Sequence, residues 1–296
     1  MLQSLAQFRS KMIGTTQSQP LTIFLHLPKT AGSTLRHIIE RQYDSTSSLH
    51  LYESMLGEEL AAIPQNQMDH LRIVMGHLYF GAHAFSARSC TYITMLREPI
   101  DRVISHYYFV RHDPSNYLYE LASKMSLKEF VESCGRQEPN NDQTRLLAGP
   151  CHTASFGICS DEMLDMAKRN LAEHFAAVGI TEEFDRSLIL MKRILGWRNP
   201  FYSKQNVTRN RAPKEDIPPE TLGVIKAHNA LDIELYRYAR ELFQEQIRFQ
   251  GESFDLETQR FRKLNASYGR LYLFTSLTID NLTRRYQSRR PISIHE

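Results

Sequence analysis

Residues 22–35 read TIFLHLPKTAGSTL. The first six, TIFLHL (22–27), form a short apolar run bounded by Pro20 and Pro28, the mark of a buried strand. Lys29 and a series of small residues come next. Leu35, Ile38, Ile39 and Tyr43 then recur at helical spacing through LRHIIERQY (35–43), with Ser33 or Thr34 expected to cap that helix. A strand, a small-residue turn and a helix together suit an anion. Small residues let backbone N–H groups come close, and the helix points its positive end at the same place. Lys29 adds a full charge for a phosphate that leaves water. The order is not that of the common nucleotide loop G-x-x-x-x-G-K-[ST], because Lys29 precedes Gly32. A plain strand–turn–helix whose hydroxyls only cap fits the pattern equally well.

More strands lie beyond the first. LRIVMGH (71–77), CTYITML (90–96) and AAVGIT (176–181) read as strands. Helices are expected around 53–62 and over 100–112, 118–132, 160–175, 182–197 and 222–249. Ser160 or Asp161 caps the fourth of these, and Pro99 opens the second. Strands alternating with helices predict an α/β fold with a mainly parallel sheet. Such sheets bind ligands at the carboxyl ends of their strands. Attention therefore falls on the segments directly after TIFLHL, LRIVMGH and CTYITML.

Arg97 sits at the end of the third strand, with Ser105 and Arg102 in the next helix. A guanidinium there suits a second phosphate, and a surface ion pair with Glu98, Asp101 or Glu40 is the alternative. His77 ends the second strand and suits a general base, because the ordinary imidazole pKa lies near neutrality. His83 is a second candidate base. His26 and His106 read as structural. Tyr79, Phe80, Tyr107 and Tyr108 can stack on a sugar ring, but core packing is the stronger reading for them.

The chain has 296 residues, 42% of them hydrophobic, and a formal net charge of +3. That is length enough for one large domain, and the mild charge argues against a nucleic-acid partner. No apolar run is long enough to cross a membrane, and the first twenty residues lack the apolar centre of a secretory signal. A cytoplasmic location and reduced thiols are expected, although Cys151 and Cys159 could pair in an exported chain. The four cysteines have no metal-ligand spacing, and no metal is expected. N-glycosylation sequons start at Asn206, Asn265 and Asn281. A lead-in over 1–20, a main domain over 21–250 and a C-terminal helical extension over 251–296 describe the organisation.

The combination of FLHLPKTAGSTL (24–35) with TMLREPIDRVISHYYF (94–109) resembles the sulfotransferase family. The likeness is greatest to the heparan sulfate 2-O- and 6-O-sulfotransferases and their bacterial relatives. It extends through MGHLYFG (75–81), NDQTRLLAG (141–149), AAVGITEEFDRSLILMKRILGW (176–197) and a loop from Asn206 to Arg211. The resemblance implies a P-loop-NTPase-like sheet flanked by helices, with a helical C-terminal part. It implies 3′-phosphoadenosine 5′-phosphosulfate (PAPS) as donor, PAP as product, and a hydroxyl acceptor, with a sugar of a polysaccharide or glycolipid favoured. Lys29, Thr30, Ala31, Gly32, Ser33 and Thr34 would grip the 5′-phosphosulfate. Arg97 and Ser105 would grip the 3′-phosphate, with Arg209 and Arg211 helping. His77 would be the base and Lys29 the electrostatic partner of the leaving group. Ala31 and Ser33 stand where that family often has Gly and Thr, and R-E-P replaces R-D-P. The animal relatives' N-terminal membrane anchor has no counterpart in this reading. A nucleotide-binding protein without turnover and an atypical ATP-dependent kinase are the other two readings.

Overall fold

The structure is a computed structural model that describes residues 19–51, 56–133, 138–150, 159–203 and 211–269. Its centre is a five-stranded, all-parallel sheet. The strands are β1 (Leu21–Leu25), β2 (Ser48–Leu51), β3 (Ile73–Gly76), β4 (Cys90–Leu96) and β5 (Phe175–Ile180), in the order β2-β3-β1-β4-β5. β1 is fully buried over all five residues, as the unbroken apolar run requires of a central parallel strand. It pairs with β3 on one side (Ile23 opposite Val74) and β4 on the other (Ile23 opposite Tyr92). The chain runs from β1 to one half of the sheet and returns across β1 to the other. The loop after β1 therefore opens at the topological switch point, where a parallel sheet binds its ligand.

Helices flank the sheet. α1 (Gly32–Ile39) comes after β1, α2 (Gln65–His70) precedes β3, and α3 (Pro99–Val110) comes after β4. α3 begins with Pro99 in its first turn, and the Glu98 carboxylate accepts from the Asp101 N–H at 2.7 Å. α7 (Asp161–His174) is capped by Ser160, as expected, and α8 (Phe184–Leu195) lies beyond β5. The main core is built on the sheet faces. A second, smaller cluster (Val103, Ile104, Tyr107, Phe130, Ile225) joins α3 to the helices beyond it.

Several expected elements differ from those observed. The helix predicted over 118–132 is two, α4 (Tyr119–Lys124) and α5 (Leu127–Ser133). Ser126 breaks it: its N–H and hydroxyl donate to Glu129 Oε2 at 2.8 Å, and the Glu129 N–H returns to Ser126 Oγ. That is a reciprocal capping box. The helix predicted over 222–249 is also two, α9 (Pro219–His228) and α10 (Ala230–Arg248), parted at Asn229. The Asn229 side chain is fully buried and is spent on the Ile225 and Pro139 carbonyls and the Asn141 N–H. β2 has no clear period in the sequence, being four residues, SLHL, with one buried position. Within 53–62, the described helix is a 3₁₀ turn over Glu58–Ala62.

NDQTRLLAG forms α6 (Asp142–Ala148). Its start and that of α10 cap each other. Asp232 accepts from the N–H groups of Gln143 and Thr144 and from the Thr144 hydroxyl, while Asn141 Oδ1 accepts from the N–H groups of Leu231 and Asp232. A final helix over 253–269, α11, adds Phe254 and Phe261 to the main core. Its Glu257 takes Lys192 and Arg193, each at 2.7 Å. Among the described residues, no helix is long and apolar enough to cross a membrane.

Candidate active site

The loop after β1 leaves the sheet in an unusual conformation. Lys29 and Ala31 both have positive φ, 66° and 62°, a region that costs a non-glycine residue about 1–2 kcal/mol. The neighbouring contacts hold it there. Thr30, fully buried, donates to the Leu27 carbonyl at 2.8 Å, and its own carbonyl accepts from the Thr181 hydroxyl at 3.0 Å. The Lys29 carbonyl accepts from Arg97 Nη1 at 3.1 Å. Strain held in place this way is common where a ligand is gripped. α1 starts at Gly32 with Ala31 at its cap position and no side-chain cap. This corrects the expected capping by Ser33 or Thr34. The helix start is left without a side-chain acceptor, as a bound anion requires.

Gly32 is set by a neighbour. A Cβ there would lie 1.9 Å from Nε2 of His26. The His26 ring stacks between Phe24 (5.3 Å) and His77 (4.2 Å between centroids). Gly32→Ala is therefore expected to push His26 into His77. An active-site displacement of about 1 Å can lower turnover on the order of 10²-fold. Steady-state kinetics beside a thermal melt check this, with lost turnover expected in a variant that still folds.

His77 donates Nδ1–H to the His26 carbonyl at 2.8 Å, since a carbonyl oxygen only accepts. That fixes the tautomer and leaves the Nε2 lone pair free. Burial by the surrounding walls pushes its pKa below the ordinary imidazole value, and its bond to His26 works against this. The ring is neutral at pH 7. Burial, with Arg97 nearby, pulls Lys29 down to about 8, and its ammonium lies 3.7 Å from the centroid of the Phe109 ring. Arg97 is held through its backbone by Gln143, which both accepts from its N–H and donates to its carbonyl at 3.0 Å. Burial also lowers its pKa, with Arg211 second.

One cavity of about 890 Å³ joins these groups. Lys29, Ala31, Gly32, Ser33, Thr34, His77, Arg97, Ser105 and Arg211 all line it. Arg211 is ion-paired with Asp101. Thr30 lies behind the loop and acts through its bonds to Leu27 and Thr181. Arg209, Cys134, Cys151 and the sequons at Asn206 and Asn281 fall outside the described residues. Cys159 is a free thiol, and Asn265 accepts from the Tyr202 N–H.

Two sequence readings are corrected. Arg102 is no donor to the site: it is fully buried, 3.2 Å from Asp142, and donates to the Glu138 carbonyl at 2.6 Å. Three residues before Ser105, it shares that face of α3, but its guanidinium is buried behind the cavity wall that Glu138 and Asp142 form. His83 is bonded to the Tyr92 hydroxyl at 2.8 Å and stacks on His174, away from the cavity. Arg145 is buried and donates to the Asn140 carbonyl. Of the four aromatic residues considered for a sugar, only Tyr79 lines the cavity; Tyr107 is core and donates to the Met125 carbonyl.

Other lining residues escaped the sequence. His106 reads as structural, yet it faces the cavity with Phe109, Asn116, Glu138 and Asp142. At the far end stand Phe184, Asp185, Tyr202 and Arg262. Tyr202 donates to Asp185 at 2.9 Å, and Arg262 of α11 meets the other carboxylate oxygen at 3.1 Å. The helical period over 100–112 places His106 and Phe109 on Ser105's helix, and Asp142, Phe184 and Asp185 lie within the segments NDQTRLLAG and AAVGITEEFDRSLILMKRILGW.

Residues 4–284 match the family model for galactose-3-O-sulfotransferase. The chain is 31% identical over 205 residues to mouse (Mus musculus) heparan-sulfate 6-O-sulfotransferase 3, covering 60% of this chain and 42% of that protein. It is 30% identical over 214 residues to zebrafish (Danio rerio) heparan-sulfate 6-O-sulfotransferase 2, covering 61% and 45%. Against the Drosophila melanogaster heparin sulfate O-sulfotransferase it is 31% identical over 161 residues, covering 48% and 46%. The chain thus spans less than half the length of each of these curated relatives.

Proposed function

The chain belongs to the galactose-3-O-sulfotransferase family, and from that we infer that it moves a sulfuryl group from PAPS to a hydroxyl of an acceptor, a sugar. The observation that carries this reading is one cavity lined by the loop after β1 with Lys29, by Arg97, Ser105 and Arg211, and by the His77 imidazole. A donor with phosphate groups at its 5′ and 3′ positions needs two grips. The uncapped start of α1 with Lys29 and Ser33 supports the 5′-phosphosulfate assignment. Arg97, Ser105 and Arg211 support the 3′-phosphate assignment.

PAPS, when bound, supplies an activated sulfuryl group with PAP as its leaving group. The chain's own part is positional and electrostatic, as in phosphoryl transfer. Lys29 holds positive charge beside the loop, where negative charge develops on the leaving side. His77 Nε2 takes the proton of the acceptor hydroxyl. Arg97 selects a 3′-phosphorylated nucleotide over ATP.

Calorimetric titration with PAP and, separately, ATP–Mg²⁺ tests this. PAP is expected to bind and ATP to bind weakly. Arg97→Ala is expected to weaken PAP by about 10–100-fold, the worth of one or two hydrogen bonds to a charged group. Good ATP–Mg²⁺ binding without PAP binding would return the chain to the kinase reading. PAP binding with no transfer to any hydroxyl would favour a binding protein.

A further inference from the structure

Lys29 differs from lysines elsewhere in the fold. Lys168, Lys192 and Lys214 end on carboxylates, at 2.7, 2.7 and 3.2 Å. The Lys29 ammonium meets no carboxylate among the described residues; it stands 3.7 Å from the centroid of the Phe109 ring. The carboxylates that line the same cavity are held by other donors. Glu138 accepts from the Tyr117 hydroxyl, Asp142 from Arg102, Glu182 from the Tyr236 hydroxyl, Glu183 from Arg186, and Asp185 from Tyr202 and Arg262.

Phe109 is in turn unusual on its helix. It is 40% exposed, whereas Val103, Ile104, Tyr107 and Val110 of α3 are buried. It follows Ser105 by one helical turn, on the same face, and both line the cavity. Lys29 is thereby held at two points by one stretch of chain. Arg97, just before α3, donates to its carbonyl at 3.1 Å, and Phe109, near the end of α3, faces its ammonium. The face of an aromatic ring attracts a cation within about 6 Å of its centroid. A carboxylate at this place would orient the lysine but cancel its charge and repel an incoming anion. A ring orients the ammonium and carries no net charge.

We propose that Phe109 is a positioning residue for Lys29, its ring face holding the ammonium in the cavity with its charge left whole for the donor's leaving group. The assignment rests on the sulfotransferase reading and adds to its donor side. The groups that face Lys29 are few. His26 of β1 and His106 of α3 are both held far below the ordinary imidazole value by burial, so they are neutral above pH 7. Arg97 is the other cation beside it. A π face favours the charged lysine, so its removal lowers the pH at which Lys29 loses its proton.

The test uses the full chain with ¹³C-labelled lysine, the Lys29 signal being identified by its loss in Lys29→Arg. In the wild type the ε-methylene protons of Lys29 are expected to be shifted upfield by the ring current of Phe109. Phe109→Leu keeps apolar bulk and removes the π face. It is expected to abolish that shift and to lower the Lys29 titration midpoint, and with it the alkaline limb of kcat/KM, by about 0.5–1 in pH, the worth of one partly desolvated cation–π contact. Phe109→Tyr keeps the face and should restore both. A wild-type Lys29 signal without the upfield shift overturns the proposal, and does so even if the variants fail to fold. A midpoint unmoved in Phe109→Leu overturns it too, as does Phe109→Tyr behaving like Phe109→Leu. The resonance readout needs no nucleotide, so failure to bind PAP would count against the donor reading alone.

Discussion

His77→Ala is expected to lower kcat by about 10²–10⁴-fold with PAP affinity little changed, the usual contribution of a positioned general base. Geometry sets this expectation. Nδ1 is committed to the His26 carbonyl at 2.8 Å, so Nε2 is the basic atom, and the ring lines the cavity beside the loop after β1. Neither nearby alternative can replace it. His26 is pressed against Gly32 and held well below the ordinary imidazole pKa by burial, with His77 second. His83 is turned away onto Tyr92. The sign of the shift fixes the pH dependence. An imidazole acts as a base only when unprotonated, and burial lowers the His77 pKa from 6.5. The acid limb of kcat/KM is therefore expected below pH 6.5. Single-turnover rates and a pH profile of the wild type and variant check both statements. A variant retaining full turnover would remove His77 from the mechanism.

Lys29→Ala is expected to lower kcat/KM on the order of 10²–10³-fold, the typical effect of deleting one electrostatic partner of a developing anion. Lys29 sits in a left-handed conformation pinned by Arg97 through its carbonyl, and its ammonium reaches over Phe109 into the cavity. Burial and Arg97 bring its pKa to about 8. The charged form is the useful one, so activity in kcat/KM should fall as pH rises through about 8. Lys29→Arg keeps a charge at every accessible pH. It should move that alkaline limb upward even if the guanidinium fits the loop less well. An alkaline limb that stays in place in Lys29→Arg would assign it to another group.

Much of this architecture is legible in the chain. CTYITML is β4 to the residue, since a parallel strand buried at every position after its first leaves an apolar, β-branched run. Ser160 announces α7, and Ser126-x-x-Glu129 carries the capping-box signature that divides residues 118–132 into two helices. The loop, the strand-end arginine and the strand-end histidine stand in the sequence as separate hints. The rule that parallel sheets bind at their carboxyl ends groups them.

What the sequence determined by itself is whatever depends on neighbours along the chain: strands with unbroken apolar runs, helices with a 3.6-residue period, a small-residue turn behind a lysine. What only the tertiary structure decided depends on residues far apart. Asn229 ends a helix because Asn141 and Pro139 stand against it. Arg102 leaves the site because Asp142 and the Glu138 carbonyl receive it behind the cavity wall, contacts made across 40 and 36 positions of sequence. His106 reaches the cavity wall because α3 carries it there one residue past Ser105, and its two buried nitrogens find no hydrogen-bond partner among the described residues. Gly32 is required by the His26 ring as well as by any phosphate. Hydrogen bonds, charge pairs and steric limits act through space within a few ångströms, and the fold alone decides which side chains come that close.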